Sequence, residues 1–255
     1  MKKVKHILQV LMSVFLWTYL VVTALALFVI DFVVWLLTFW WDKRLWILHG
    51  YSIFWAMFYL KINPFWKVKI EGRNKVKKGQ VYVIVSNHQS AFDIVLLYRL
   101  YMHFKWVAKR ELARIPVIGW NLLLNRHILI DRASAVSTKH MFQKGLAHIK
   151  NGSSVLIFPE GTRSVNGRFR RFKEGAFLLA QKAEVPILPV VIDGTIDILP
   201  KSGIVNLKQS LTIKILDEIP WESFKDKPVQ EFTKEVSAKM EGEHRKIAPA
   251  RYLDV

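Results

Sequence analysis

The sequence predicts an α/β fold: a sheet flanked by helices, preceded by an apolar helical hairpin. Two observations carry this. Before residue 67 the chain is dominated by long uncharged runs; after it, short apolar strands alternate with amphipathic helices. The expected division is a membrane-associating hairpin over residues 1–66 and an α/β domain over 67–255.

The N-terminal runs come first. Residues 7–30 hold 24 positions without a charge, 32–41 add ten, and 45–60 give another 16 after the interruption "DKR" at 42–44. A bilayer span takes roughly 20 apolar residues, so the first run is long enough and the last is short. The first run also exceeds a signal peptide's apolar core, and no small-residue cleavage site follows it. A buried core helix is the alternative that length disfavours. Seven of the ten tryptophans (Trp17, Trp35, Trp40, Trp41, Trp46, Trp55, Trp66) lie in this third, as suits a membrane–water interface. Lys2, Lys3 and Lys5 place the N-terminus on the cytoplasmic side by the positive-inside rule. A single crossing would put the body outside. The expected arrangement is a hairpin dipping into one leaflet, with two full crossings as the runner-up and the body on the cytoplasmic face.

In the body, strands are expected at 67–72, 81–86, 105–109, 127–131, 154–159, 186–192 and 211–216. Helices are expected at 91–101, 134–150, 174–183 and 229–246, with Ser134 as an N-cap. No internal repeat interrupts the pattern. In open α/β sheets, sites gather beyond the carboxyl ends of strands, and three such ends carry chemistry here.

The first is "SNHQSAFD", residues 86–93. Ser90 and Asp93 have the spacing of a capping box. His88 and Asp93 have that of a base and its orienting carboxylate. Two positions five apart on one helix point about 140° away from each other, so the pair meets only if His88 precedes the helix. The second is "FPEGTRSVNGRFRRFKEGAF", residues 158–177. Gly161 permits close backbone approach. Arg163 with Arg168, Arg170, Arg171 and Lys173 forms a cationic cluster suited to phosphate, or simply a solvated basic loop. The third is "KRELARIPVIGWNLLLNRHILIDR", residues 109–132, with cationic Lys109, Arg110 and Arg114 and an apolar stretch at 115–124 that either lines an acyl groove or is ordinary core.

Other chemistries find no support. The chain has no cysteine, which excludes disulfides, thiol catalysis and Cys-based zinc sites. Its eight histidines show no metal-ligand spacing, and there is no G-x-S-x-G elbow or P-loop lysine. The net charge of +18 calls for an anionic partner. Nucleic acid is not expected, because most tryptophans lie in the hairpin rather than among the basic residues.

Together these pieces resemble the glycerolipid acyltransferase family, most closely its lysophosphatidate-acylating members. "NHQSAFD" looks like the first block of that family, "KRELARIPVIGW" the second, "FPEGTRS" the third and "VPILPVVIDG" (185–194) the fourth, all in order. Relatives usually carry a glycine before the "IDR"-type strand; here the chain reads Asn125-Arg126-His127, and no role is assigned there. The resemblance implies acyl transfer from acyl-CoA or acyl-carrier protein to the sn-2 hydroxyl of lysophosphatidic acid, giving phosphatidic acid. It implies His88 as general base and Asp93 as its orienting group. Glu160, Gly161, Thr162 and Arg163 would bind the glycerol phosphate, with Lys109 and Arg132 as further phosphate or donor contacts. Pro186 and Pro189 would shape the site wall or acyl channel. No metal and no cofactor is expected, and the lipid bilayer is the expected partner. The rivals are an acyltransferase for another acceptor, glycerol-3-phosphate or another lysophospholipid, and a non-catalytic basic protein that binds membranes.

Overall fold

A computed structural model of the chain describes residues 2–131, 134–198 and 205–253. Two helices open it, α1 (Lys2–Thr38) and α2 (Trp46–Ile62). Seven strands follow in the body: β1 (Trp66–Glu71), β2 (Val83–Ser86), β3 (Phe104–Lys109), β4 (Ile128–Ile130), β5 (Ser154–Ile157), β6 (Ile187–Asp193) and β7 (Gln209–Ile215). Six helices connect or flank them: α3 (Asp93–Leu97), α4 (Ile118–Leu124), α5 (Ala135–Lys150), α6 (Gly175–Ala183), α7 (Thr195–Ile198) and α8 (Val229–Ile247).

The strands form one sheet in the order β1-β7-β6-β2-β5-β3-β4. β6, β2, β5, β3 and β4 are parallel; β7 runs against β6, and β1 runs with β7. The five parallel strands therefore present their carboxyl ends on one edge. Central β2 is covered on both faces: Val83, Ile84 and Val85 are all 0% exposed. That burial explains its continuous apolar run. Ile84 joins Leu97, Phe104 and Leu188 on one face; Val83 and Val85 join Phe177, Leu179 and Phe232 on the other.

Pro189 sits inside β6, where a missing N–H would normally break a ladder. Its carbonyl accepts from Leu216 N at 3.0 Å, just past the end of β7. The absent donor thus falls on the β7 side, at the end of the antiparallel pairing, and the pairing of β6 with β2 is left intact.

The hairpin's two arms differ. α1 contains a stretch, Val10–Thr38, long and apolar enough to cross a membrane, with a mean hydropathy of 2.7 and little of it buried. α2 instead covers the sheet: Leu48, Trp55, Ala56, Met57 and Leu60 are buried, and the last three join the core with Ile84. Tyr51 Oη and Tyr59 Oη donate to Leu27 O and Leu20 O at 2.9 and 3.3 Å, fastening α2 to α1. The turn between the arms is tied to the body, since buried Lys105 donates from Nζ to Arg44 O and Asn125 O, each at 2.9 Å. Burial lowers the Lys105 pKa to about 7.

Local expectations divide. Ser134 caps α5, its side chain accepting from Ser137 N at 3.2 Å. The helix expected over 91–101 is shorter: α3 tightens into a 3₁₀ turn at Tyr98–Leu100 and ends at Tyr101 with φ 50°. Between Pro116 and Ile118 the chain makes a γ-turn about Val117, φ 66° and ψ −58°, closed by Ile118 N→Pro116 O at 2.7 Å. A β-branched residue in that region is strained. The turn directs Ile118, Trp120 and Leu123 of α4 outward, where they are exposed. The apolar stretch expected at 115–124 is thus mostly surface rather than core.

Candidate active site

β2 ends at Ser86, and Asn87 continues its pairing by side chain. Its amide donates to Ile192 O at 2.9 Å and accepts from Ile192 N at 2.8 Å, binding the loop to β6. This leaves His88 in the loop before α3, the placement in which the histidine and aspartate can meet. His88 Nδ1 lies 2.7 Å from Asp93 Oδ2. The same oxygen accepts from Gln89 N at 2.7 Å and Ser90 N at 3.0 Å. Its other oxygen, Oδ1, accepts the hydroxyl of Thr195. The Asp93 side chain is fully buried and that of His88 is 13% exposed.

Half of the expected capping box forms. Asp93 reaches back to Ser90 N, but Ser90 Oγ accepts from Phe92 N at 3.3 Å and caps no helical N–H. Asp93 is the first residue of its helix, so its carboxylate faces the loop. The Nδ1 contact leaves Nε2 as the histidine nitrogen without a hydrogen bond among the described residues. The ring's plane is set by Phe158, stacked on it with centroids 4.0 Å apart and planes at 13°.

β5 lies beside β2, so its end brings the next loop to the same place. Glu160 is 4% exposed, and its Oε1 accepts His88 N at 3.1 Å. Ser164 N donates to His88 O at 2.8 Å. The histidine is thereby braced at both backbone groups. Glu160 Oε2 is buried and makes no hydrogen bond among the described residues. Burial, against the pull of the His88 N–H and reinforced by Asp93, pushes the Glu160 pKa up to about 8. At neutral pH this side chain is a neutral acid bonded to the histidine loop.

The folded group holds its proton well above the ordinary value of 4.5. Folding therefore loses stability as pH rises from about 4.5 to about 8, because only the unfolded chain ionises freely there. Glu160→Gln, which mimics the protonated form, is expected to flatten the fall in melting temperature between pH 6 and pH 8. An unchanged slope in the variant would contradict the assignment.

Gly161 takes φ 71°, and a Cβ there would lie 3.1 Å from Lys173 Cε. Glu160, Gly161, Thr162, Arg170, Arg171 and Lys173 line a cleft beside the histidine loop. Thr162 and Arg163 are exposed, and Arg163 makes no ion pair or hydrogen bond among the described residues. Arg168, expected in the same cationic cluster, is directed elsewhere: it donates to Arg251 O and Leu253 O at the C-terminal end.

The other expected contacts are not brought to the dyad. Lys109 ends β3, two strands away from β2, and pairs with Glu111 at 2.9 Å. Arg132 lies outside the described residues. Pro189 lies within β6 and Pro186 just before it, where Pro186 O accepts from Val83 N at 3.1 Å. Gln89 and Thr195 were not singled out by sequence, although both lie in or beside the conspicuous blocks. Gly194 is the signal for Thr195. It takes φ 96°, and a Cβ there would lie 2.2 Å from Ser210 O; the tight turn it allows swings Thr195 from the end of β6 back over β2.

A family model described as "Acyltransferase" matches residues 67–193. A 1-acyl-sn-glycerol-3-phosphate acyltransferase of Chlamydomonas reinhardtii is 40% identical over 138 residues, which cover 54% of this chain and 42% of that protein. One from Saccharomyces cerevisiae is 34% identical over 178 residues, 68% of this chain and 58% of that protein. The chain spans about half the length of these relatives. The crystal structure of the 1-acyl-sn-glycerophosphate (LPA) acyltransferase PlsC from Thermotoga maritima superposes with a TM-score of 0.74 at 25% identity, covering 97% of this chain and 98% of that one. The matched region takes in the histidine loop, the β5 loop and β6, and the chain belongs to the acyltransferase family by that domain.

Proposed function

We propose that this protein transfers a fatty acyl group from a water-borne thioester, acyl-CoA or acyl-carrier protein, to the sn-2 hydroxyl of lysophosphatidic acid, forming phosphatidic acid. The observation that carries this reading is the His88–Asp93 pair, at 2.7 Å with the carboxylate buried, on a loop at the carboxyl end of β2. The relatives' names supply the acceptor.

A hydroxyl is a poor nucleophile, and a positioned base contributes roughly 10²–10⁴-fold. In this mechanism Nε2 of His88 removes the hydroxyl proton as the oxygen attacks the thioester carbonyl. Asp93 accepts the Nδ1–H and stabilises the imidazolium. The tetrahedral intermediate collapses by breaking the C–S bond, and His88 returns the proton to the departing thiolate. The thioester is already activated, so these steps balance without a metal.

Exposed Arg163 is assigned to the acceptor's phosphate, with Gly161 allowing close approach. A charge-assisted contact of this kind is worth about 1.5–3 kcal/mol. Arg163→Ala is therefore expected to raise the KM for lysophosphatidate by about 10–100-fold while changing kcat little. Steady-state kinetics in mixed micelles measures both; an unchanged KM would remove Arg163 from the phosphate site. In this reading Glu160 acts as a brace for the His88 loop, since its Oε1 accepts from His88 N.

Acceptor and product both reside in a bilayer, which gives the exposed apolar surface of α1, with Ile118 and Trp120 of α4, a lipid-contact role. α2, at about 1.5 Å per residue, spans about 26 Å and is occupied in covering the sheet. The turn at 42–44 is bonded to the body through Lys105. We infer an α1 that enters one leaflet, with its turn and the body both on the cytoplasmic face. Lys43→Cys in sealed cells is expected to resist membrane-impermeant maleimide added outside; labelling from outside would overturn this topology.

A further inference from the structure

We propose that Thr195 is a positioning residue for the histidine–aspartate pair, anchored through a polar network to the C-terminal end of the chain. The inference rests on the general-base reading of His88 and deepens it.

Asp93 is buried at the head of a five-residue helix, too short to fix a carboxylate by itself. Three donors crowd onto Oδ2: His88 Nδ1 and the N–H groups of Gln89 and Ser90. A carboxylate held on one oxygen alone can rotate about its Cβ–Cγ bond. Among the described residues, the opposite oxygen is held only by the Thr195 hydroxyl. Thr195 is 0% exposed and opens α7 just past the end of the neighbouring strand β6, so it ties the carboxylate to that strand end rather than to its own loop.

The loop and helix on either side of this contact are in turn anchored. The Thr195 hydroxyl gives its one proton to Asp93, while Gln89 Nε2 donates to Asp193 Oδ1 at 2.9 Å and to Gly167 O at 3.0 Å. Asp193 is also bound by Arg251 Nε at 3.2 Å, and Arg251 forks onto Asp197 of the Thr195 helix. Gln89 thus has its backbone on Asp93 and its side chain on this network. Burial alone would raise the Asp193 carboxyl; hydrogen bonds from His244 and Gln89 and the Arg251 charge overcome this and hold it at about 2. The anchor therefore keeps its charge across the working pH range.

The test compares Thr195→Val, which keeps the shape and removes the hydroxyl, with Thr195→Ser, which keeps the hydroxyl. Thr195→Val is expected to lower kcat by about 10–100-fold, the worth of a hydrogen bond to a charged group, with KM for lysophosphatidate unchanged. Thr195→Ser is expected to retain most of the rate. In an Asp93→Asn background, Thr195→Val is expected to cost less than threefold further, because the group it positions has gone. A full additional loss in that background, or a Val variant with wild-type kcat, would overturn the proposal. If Val proves unstable by thermal melting, Thr195→Ala against Thr195→Ser makes the same hydroxyl comparison. Should Asp93→Asn itself retain wild-type kcat, the orienting role of Asp93, on which this proposal rests, fails instead.

Discussion

His88→Ala is expected to lower kcat by at least about 10²–10⁴-fold, with KM for lysophosphatidate within a few-fold of wild type. The split follows from the geometry. The histidine's free nitrogen is the only group assigned to the reacting hydroxyl, whereas the acceptor's phosphate is assigned to Arg163 on a separate loop. The ring is packed against Phe158, so its removal also leaves space beside that ring. The resulting loss in melting temperature must be measured beside the kinetics. Exogenous imidazole offers a second reading, because partial rescue is expected where the missing group is a base. A variant with wild-type kcat would remove His88 from the chemistry.

The next largest effect is expected at Asp93. Asparagine has nearly the same shape but presents an NH₂ where the carboxylate accepts. With the amide nitrogen at the Oδ2 position, it faces three donors. With the nitrogen at Oδ1, it faces the Thr195 hydroxyl, and the weaker amide oxygen remains for the histidine. Either way the imidazolium formed in the reaction loses its counter-charge. A kcat loss of about 10²–10⁴-fold is expected. A stability loss of about 1–3 kcal/mol accompanies it, because a buried donor is left unpaired. Denaturant unfolding separates the two: Asp93→Asn that is destabilised but fully active would make the carboxylate structural only.

Much of this arrangement could be read along the chain. All seven strands lie within a few residues of where apolar runs and their flanking breakers place them, because the central strands are buried on both faces and leave an unmistakable signal in Val, Ile and Leu. The loop placement of His88 followed from a strand ending at Ser86. Long-range contacts could not be read in this way. Thr195 lies 102 positions from Asp93, and only the order β6-β2-β5 makes them neighbours. Glu160 looked like a ligand for a polar acceptor, but its side chain is turned inward onto His88 N, which strand adjacency decides and spacing does not. Arg168 belonged to a run of basic residues that invited one reading, yet the C-terminal carbonyls claim it. Lys109 is on the expected edge of the sheet but engaged by Glu111. The apolar segment at 45–60 reads as an arm of a membrane hairpin; in three dimensions α2 spends that apolarity on the sheet, and composition cannot distinguish the two uses.

The site has one chemical centre with support on three sides: the Phe158 ring on the histidine face, Glu160 and Ser164 on its backbone, and Thr195 on its carboxylate. Each comes from a strand end next to β2, which is why a short loop can hold a base in a fixed orientation.

The most direct test of the central claim is product formation by the purified protein in phospholipid vesicles. It would be given a radiolabelled long-chain acyl thioester and, in parallel, lysophosphatidic acid, glycerol-3-phosphate or lysophosphatidylcholine. Labelled phosphatidic acid from lysophosphatidic acid, lost in His88→Ala, is the expected result. Acylation confined to another acceptor, or labelled phosphatidic acid formed equally well by the His88 variant, would contradict it.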